Sequence, residues 1–212
     1  MRPRLLEAVR DGKSVAYASD AGTPLVADPG YSLGRAMAEA ELPVTTAPGP
    51  SAALAALSLS GLPSDCFIFA GFPPTAKGAR ASFLESFRDV AGTLVLFESP
   101  RRLSALLEVA AEVLGKDREA AVCRELTKRF EEVRRGTLES LSEGYEGLVP
   151  KGEIVVCIAK GSNEADPERV RAALVEAMKS NKLKTAANDV AERFGLSKRD
   201  LYQLGLEIQN SD

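Results

Sequence analysis

The 212-residue sequence contains no histidine, no tryptophan and only three cysteines. The absence of histidine excludes Ser–His and Cys–His nucleophile pairs, and it removes the side chain that most often acts as general base or zinc ligand. Cys66, Cys123 and Cys157 lie far apart in apolar runs, so they offer neither a disulfide framework nor a CxxC metal pattern. We expect all three to be buried strand residues. Any chemistry must come from carboxylates, lysine, arginine, tyrosine, serine or the backbone.

Long apolar runs and a strong net charge are also absent. No apolar run approaches the ~18 residues of a membrane span, and no basic segment followed by an apolar one opens the chain, so we find no signal peptide. We therefore expect a cytoplasmic protein with no membrane contact. The net charge of -3 gives no overall basic field, so any contact with nucleic acid would depend on a local patch.

Loops rich in glycine and proline follow several apolar runs. The first loop, residues 19–30 with the sequence SDAGTPLVADPG, follows a predicted strand at residues 15–18. Open α/β sheets bind ligands in the crevice beyond the carboxyl ends of their strands. The first loop is therefore either an ordinary tight turn or a rigid loop whose backbone faces a ligand.

Alternating strand and helix patterns predict an α/β fold with two α/β units and a small C-terminal helical appendage. We expect a parallel-sheet unit over residues 1–62, a mixed-sheet unit over residues 63–163 and helices over residues 164–212. The predicted strands are residues 15–18, 44–47, 66–70, 93–97, 120–123, the antiparallel segment EEVRRGTL and residues 154–159. The predicted helices are residues 4–9, 31–40, one from Ser51, 103–114, one from Asp166-Pro167 to about Ser180, and two in the tail.

The tail reads as helix, short turn, helix. Gly195 ends the first of these helices, and Ser197 with Asp200 forms a capping box for the next. Such a pair is either a packing appendage or a nucleic-acid contact. Five cations favour the contact: Lys179, Lys182, Lys184, Lys198 and Arg199.

Three clusters of acidic and basic residues lie at predicted strand ends, and no GxGxxG, Walker loop, G-x-S-x-G elbow or metal-spaced cluster accompanies them. The clusters are Glu98 with Arg101 and Arg102, then Arg124, Glu125 and Lys128, and finally Lys151, Gly152 and Glu153. Each alone fits a surface ion-pair group. Together they predict a shared polar cleft.

Several motifs in one order resemble the ribosomal RNA small subunit methyltransferase I family of the tetrapyrrole methylase superfamily, from about residue 5 to the end. They are SDAGTPLVADPGY, APGPSAALAALSLSGLPSDCFIFAGFPP, FESPRRL, RELTKRFEEVRRGTL and PKGEIVV. The resemblance implies S-adenosylmethionine-dependent 2'-O-methylation of a cytidine ribose in 16S ribosomal RNA. It also implies a cytoplasmic homodimer that acts on small-subunit RNA or the 30S subunit.

The resemblance implies the cofactor residues, and the chemistry of the strand-end clusters suggests the catalytic and RNA-contact residues. The cofactor cleft would be lined by Asp20, Gly22, Thr23, Pro24, Pro50, Ser51, Ala52 and Phe72. A ribose hydroxyl needs a proton acceptor, and in a chain without histidine the catalytic candidates are Glu98, Glu125 and Lys128. The candidates for RNA contacts are Arg101, Arg102, Arg124, Arg129, Lys184 and Lys198.

The sequence departs from the family pattern at two places. Family members carry a strand and a P-x-G-N-L-x-D loop ahead of the helix at Arg4, which makes the N-terminal unit a truncated one here. Arg101 stands where the family has histidine in its aromatic-Glu-Ser-Pro-His-Arg motif. Two alternatives stay open: a weakly active or inactive fragment or binding module of the same fold, and a methyltransferase for a tetrapyrrole or another small molecule.

Overall fold

A computed structural model describes residues 2–161 and 167–209, and a mixed sheet of five strands lies at its centre. The strands are β1 (Phe67–Gly71), β2 (Thr93–Glu98), β3 (Glu119–Arg124), β4 (Glu132–Thr137) and β5 (Ile154–Ile158). Their spatial order is β1-β2-β5-β3-β4. Only β1 and β2 pair in parallel, and the other three pairings are antiparallel. The predicted α/β class and the mixed sheet of the second unit are confirmed.

Helices cover both faces of this sheet and form the tail. In the described residues they are α1 (Arg2–Arg10), α2 (Tyr31–Glu39), α3 (Ala52–Ser60), α4 (Lys77–Glu85), α5 (Leu103–Leu114), α6 (Leu138–Gly144), α7 (Pro167–Ser180), α8 (Leu183–Phe194) and α9 (Lys198–Gln209). The sequence pattern missed α4 and α6. Both are short, and α6 begins directly at the end of β4, where a hydroxyl cap at Thr137 accepts a hydrogen bond from the backbone N–H of Ser140 (3.1 Å).

The alternation of strand side chains separates two cores. Leu94 and Leu96 point to one face, where α4, α5 and α6 pack, and Val95 points to the other, where α3 packs. All five residues of β5 are buried because this strand lies at the centre of the sheet with helices on both sides. The sheet is therefore the middle layer of three, which fits its near-continuous apolar strands.

Two of the predicted strands are wrong. Residues 15–18 and 44–47 form no strand and pair with nothing in the part of the chain that the structure describes. Their apolar side chains are exposed, 38% for Val15 and 66% for Val44. An apolar pattern favours a strand only where a neighbouring strand supplies hydrogen bonds and packing, and neither is present here. Cys66 is a smaller error: it precedes β1 and is exposed, whereas Cys123 and Cys157 are buried as predicted.

The tail helices pack into a core of their own. Buried side chains from α7, α8 and α9 form one cluster: Val170, Leu174, Ala186, Ala187, Val190, Ala191, Leu201 and Ile208. Gly195 ends α8 in the left-handed conformation (φ +65°), and the backbone N–H of Asp200 donates to Ser197 Oγ (3.4 Å) at the start of α9. The predicted start of α7 at Asp166 lies outside the described residues. Within residues 2–161 and 167–209, no helix is long and apolar enough to cross a bilayer.

Candidate functional site

The three polar clusters that follow strands come together at one edge of the sheet. Because β1, β2 and β3 run in one direction and β4 and β5 in the other, the carboxyl ends of the first three meet the amino ends of the last two. Glu98 and Arg124 both lie opposite Ile154 in the register of their strands. We call this end of the sheet the polar edge, formed by Glu98, Arg102, Arg124, Glu125, Lys128, Gly152 and Glu153.

Glu98, the last residue of β2, is a buried carboxylate with an internal partner. The residue is 3% exposed, because its side chain points to the same face as Leu94 and Leu96. Its Oε1 accepts hydrogen bonds from the backbone N–H of Ser99 (2.7 Å) and from Arg102 Nε (2.6 Å). Its buried Oε2 has no hydrogen-bond partner within the described residues. Glu98 therefore holds the turn after β2 and the Arg102 guanidinium in place.

Glu125 and Lys128 form an ionic cluster with Glu153. Lys128 Nζ lies 2.9 Å from both Glu125 Oε1 and Glu153 Oε2, and the backbone N–H of Glu153 also donates to Glu125 Oε1 (2.9 Å). The Lys128 hydrogen bond, followed by the Glu153 N–H, holds the pKa of Glu125 below its usual value. The hydrogen bonds to Glu125 and then Glu153 raise the pKa of Lys128. Lys128 is therefore a cation at neutral pH, and Glu125 is ionised.

The backbone around Glu125 is held in uncommon conformations. Glu125 (φ +49°) and Thr127 (φ +63°) occupy the left-handed region, which residues with a Cβ seldom adopt. Across the edge, Gly152 has φ +106°, and a Cβ built on it would overlap the Glu125 side chain. Glu125 therefore lies flat against the Gly152 backbone, and this contact requires glycine. Strained backbone of this kind concentrates at functional sites.

Helix α3 directs its N-terminus toward the polar edge. Its carbonyl at Ala56 lies 3.8 Å from the Sγ of Cys123, which is one residue from the end of β3. Near the other end of the helix, Arg135 Nε donates to the Ser60 carbonyl (3.0 Å). Arg135 lies opposite Ala121, further from the polar edge than Cys123. The first turn of α3 therefore lies toward the polar edge.

Two of the predicted cofactor loops are linked to each other at this N-terminus. Ser51 caps α3, since the backbone N–H of Leu54 donates to Ser51 Oγ (3.4 Å). Thr23 Oγ1, in the first loop, donates to the carbonyl of Pro50 (2.9 Å). Within the first loop, Gly22 has a positive φ (+67°). The structure thus brings together the two segments that contain Asp20, Gly22, Thr23, Pro24, Pro50, Ser51 and Ala52.

Phe72, the remaining predicted cofactor residue, directly follows β1. Its ring is 55% exposed and meets Phe97 edge to face, with centroids 5.6 Å apart. Phe97 in turn meets Phe69 at 4.7 Å, and both of these rings pack against the core under α3. An open aromatic surface therefore lies at the carboxyl end of β1, on the face that α3 covers.

The six predicted RNA-contact residues have different surroundings. Arg101 is exposed beside the pair formed by buried Glu98 and half-buried Arg102. Arg124 is held by Glu132 (2.9 Å) and by the Lys151 carbonyl (3.1 Å). Arg129 lies over the ring of Phe130, Lys184 is exposed on α8, and Lys198 on α9 pairs with Glu192 (3.0 Å). Arg102 and Arg124 are thus positioned by internal partners, while Arg101 and Lys184 are exposed.

Comparison with known proteins identifies the family. The family described as Tetrapyrrole (Corrin/Porphyrin) Methylases matches residues 1–142, and the one described as RsmI C-terminal HTH domain matches residues 164–209. A Ribosomal RNA small subunit methyltransferase I from Mesorhizobium japonicum is 48% identical over 99% of this chain and 72% of the relative. The chain belongs to the ribosomal RNA small subunit methyltransferase I family. A family member from Mycobacterium tuberculosis is 43% identical over 96% of this chain and 72% of its own length.

Two solved structures have a fold similar to that of this chain. The methyltransferase CobJ superposes with a TM-score of 0.57 at 19% identity, covering 76% of this chain and 70% of that protein. Diphthine synthase gives a TM-score of 0.53 at 19% identity, covering 74% and 63%. At such identity the similarity establishes the fold alone. The chain therefore shares its fold with these solved structures over about three quarters of its length.

Sequence reasoning found the clusters of the polar edge but missed how they connect. The Glu125–Gly152 contact joins two segments that are 27 positions apart in the chain, and no local pattern signals it. The same holds for the hydrogen bond from Thr23 to Pro50. The one sequence signal for the Glu125 contact is Gly152 itself, a glycine placed between two charged residues, Lys151 and Glu153. No group of three or more potential metal-binding side chains occurs in the described ranges.

Proposed function

We propose that this methyltransferase uses S-adenosylmethionine to methylate the 2'-hydroxyl of a cytidine ribose in 16S ribosomal RNA. The observation that carries the proposal is the meeting of α3, the first loop and three polar clusters at the carboxyl ends of β1, β2 and β3. Ligands of open α/β sheets bind at this kind of edge. The relatives named Ribosomal RNA small subunit methyltransferase I support the RNA substrate.

The residues at the edge fit S-adenosylmethionine chemically. The first turn of α3 presents backbone N–H groups and a positive dipole end, which suits the carboxylate of the ligand. Phe72 offers an open ring for a sulfonium or an adenine, since cations and bases both bind aromatic faces. Asp20 and the backbone of Gly22, Thr23 and Pro24 would hold its polar groups. When bound, the cofactor supplies an electrophilic methyl group on a positively charged sulfur.

The chain itself must align the ribose, exclude water and receive the hydroxyl proton. Of the three catalytic candidates, Glu125 has the most suitable position, because its side chain is 19% exposed at the polar edge and can be reached by the ribose. Glu98 is enclosed, which suits a positioning role, and Lys128 is held as a cation. Arg101 and Arg129 would contact phosphates from outside the edge, with Lys184 and Lys198 contributing from the tail. A cytoplasmic location, the 30S subunit as substrate and a homodimer remain predictions.

The test is a methylation assay with 30S subunits that lack the modification, with mass spectrometry of the RNA nucleosides as readout. We expect 2'-O-methylcytidine with the parent chain, a large loss of the single-turnover rate with Glu125→Gln, and no loss with Glu139→Gln, a carboxylate that follows β4 at the opposite end of the sheet. Two further measurements accompany this assay: methylation of a tetrapyrrole acceptor, and binding of S-adenosylmethionine by calorimetry. Methylation of the tetrapyrrole alone, or tight cofactor binding without any RNA methylation, would overturn the proposal.

A further inference from the structure

The β3–β4 loop, residues 125–131, displays an aromatic ring and a cation side by side on the surface. Phe130 is 63% exposed, and its ring lies outside the three buried clusters of the described residues. The guanidinium of Arg129 lies over this ring, 5.5 Å from its centroid. The ring therefore contributes nothing to the buried core of the described residues, and its surface is open to a partner.

The loop is built to hold that pair still. Glu131 Oε2 accepts from the backbone N–H of Thr127 (2.6 Å), and the backbone N–H of Glu131 donates to the Lys128 carbonyl (3.1 Å). The backbone N–H of Lys128 donates to the Glu125 carbonyl (3.0 Å). Glu125 and Thr127 have positive φ values, which the surrounding hydrogen bonds maintain. A loop fixed in this way loses little conformational entropy when it binds a partner.

The carboxylates around the loop are paired with groups other than Arg129, so its guanidinium can bind a ligand. Each nearby carboxylate already has a partner: Glu125 and Glu153 bind Lys128, Glu131 binds the backbone of Thr127, and Glu132 binds Arg124. Within the ranges that the structure describes, no carboxylate pairs with Arg129. The loop therefore offers one unneutralised cation beside one open aromatic ring.

We infer that Arg129 and Phe130 form a stacking site for an unpaired base of the RNA substrate. Bases of single-stranded RNA stack on aromatic rings and on arginine planes, and the adjacent phosphates favour a cation. The loop joins β3 to β4 at the polar edge, so a base held there belongs to the strand that carries the reacting ribose. This inference rests on the proposed function, since it assumes an RNA substrate. An apolar protein partner would use the ring without needing the unpaired cation.

The sequence contains no tryptophan, so Phe130→Trp creates a fluorophore at the site itself. The probe is a short oligocytidylate RNA, and inorganic polyphosphate serves as a ligand with charge but no bases. We expect saturable quenching by the RNA and none by polyphosphate. The matched control is Phe67→Trp, at a residue that is 39% exposed at the start of β1, the end of the sheet opposite the polar edge, where RNA should leave the emission unchanged. Equal quenching in both variants, or bound RNA without quenching of Phe130→Trp, would refute the stacking site.

Kinetics provide the second measurement. Phe130→Leu keeps an apolar side chain but removes the ring, so we expect the KM for RNA to rise about 5- to 150-fold, the range for loss of one base–aromatic stack. The kcat at saturating RNA and the affinity for S-adenosylmethionine should stay at parent values, and Phe130→Tyr should restore the KM.

If the parent methylates RNA and Phe130→Leu has the parent KM, the stacking inference is wrong while the proposed function stands. If the parent shows no RNA methylation, the proposed function fails, and the quenching experiment still decides whether a base stacks at Phe130. Loss of self-association in Phe130→Leu at unchanged RNA affinity would assign the ring to a protein interface instead.

Discussion

Gly152→Ala is the substitution that most directly tests how the polar edge is built. The new Cβ would overlap the Glu125 side chain, and the backbone at position 152 has φ +106°. The variant therefore has to move Glu125 away from Glu153 and Lys128, or shift the turn before β5. We expect both the stability and the activity to fall.

The magnitude follows from two separate effects. A residue with a Cβ at such a φ costs about 1–3 kcal/mol, and overpacking against a fixed neighbour adds about 1–3 kcal/mol. Gly115 provides the matched control, because it has nearly the same φ (+110°) but a Cβ there would contact nothing within 4 Å. Gly115→Ala should therefore lose only the strain, about 1–3 kcal/mol. The difference between the two variants isolates the contact with Glu125.

The assay is urea unfolding at neutral pH together with single-turnover methylation. We expect Gly152→Ala to lose about 3 kcal/mol of unfolding free energy and most of its methylation rate, while Gly115→Ala keeps the parent rate. If the two variants lose equal stability and both keep full activity, Glu125 does not depend on Gly152, and the reasoning about the edge is wrong.

Three further predictions concern the core and the charges. Leu107→Ala, at a fully buried position of α5, should lose about 2–5 kcal/mol in urea unfolding with an unchanged m-value. Arg102→Met leaves the buried Glu98 carboxylate without its cation and should lose about 2–4 kcal/mol, most of which Glu98→Gln should restore in the double variant. Glu125 and Lys128 should stabilise the fold fully between about pH 5 and pH 9. That contribution is lost as pH falls through the lowered pKa of Glu125 and as pH rises through the raised pKa of Lys128, so in Lys128→Met the unfolding free energy should depend less on pH at both ends.

The second α/β unit was predictable because its strands carry their own signal. The predicted strand at residues 154–159 is apolar at every position from Ile154 to Ile158, which is what a central strand covered on both faces requires. The segment EEVRRGTL alternates instead, and it forms the edge strand β4, antiparallel to β3. In both segments, the order of apolar and polar residues indicates which faces of the strand are buried.

The first 62 residues were harder to predict because their local pattern matches a strand but their surroundings do not. The apolar residues around Val15 and Val44 fit a buried strand, yet both segments are exposed in the described structure. Strand formation depends on a partner strand, and a local sequence pattern contains no information about that partner.

The candidate site was also predictable only in part. The charged residues after β2 and β3 could be found from sequence, but the enclosure of Glu98 depends on the packing of α5 over the sheet.

The position of β5 between β2 and β3 has a consequence for how the protein folds. This strand is the last of the five along the chain, yet it pairs with both central neighbours. During synthesis, β2 and β3 therefore have no strand between them until Ile158 has left the ribosome, and the polar edge cannot close before then. Pairing of strands this far apart in sequence is intrinsically slow, and the waiting strand edges are prone to aggregate. The polar edge thus forms late, so a chain released before residue 158 would have two separate strand pairs, β1–β2 and β3–β4, but no continuous sheet and no closed edge.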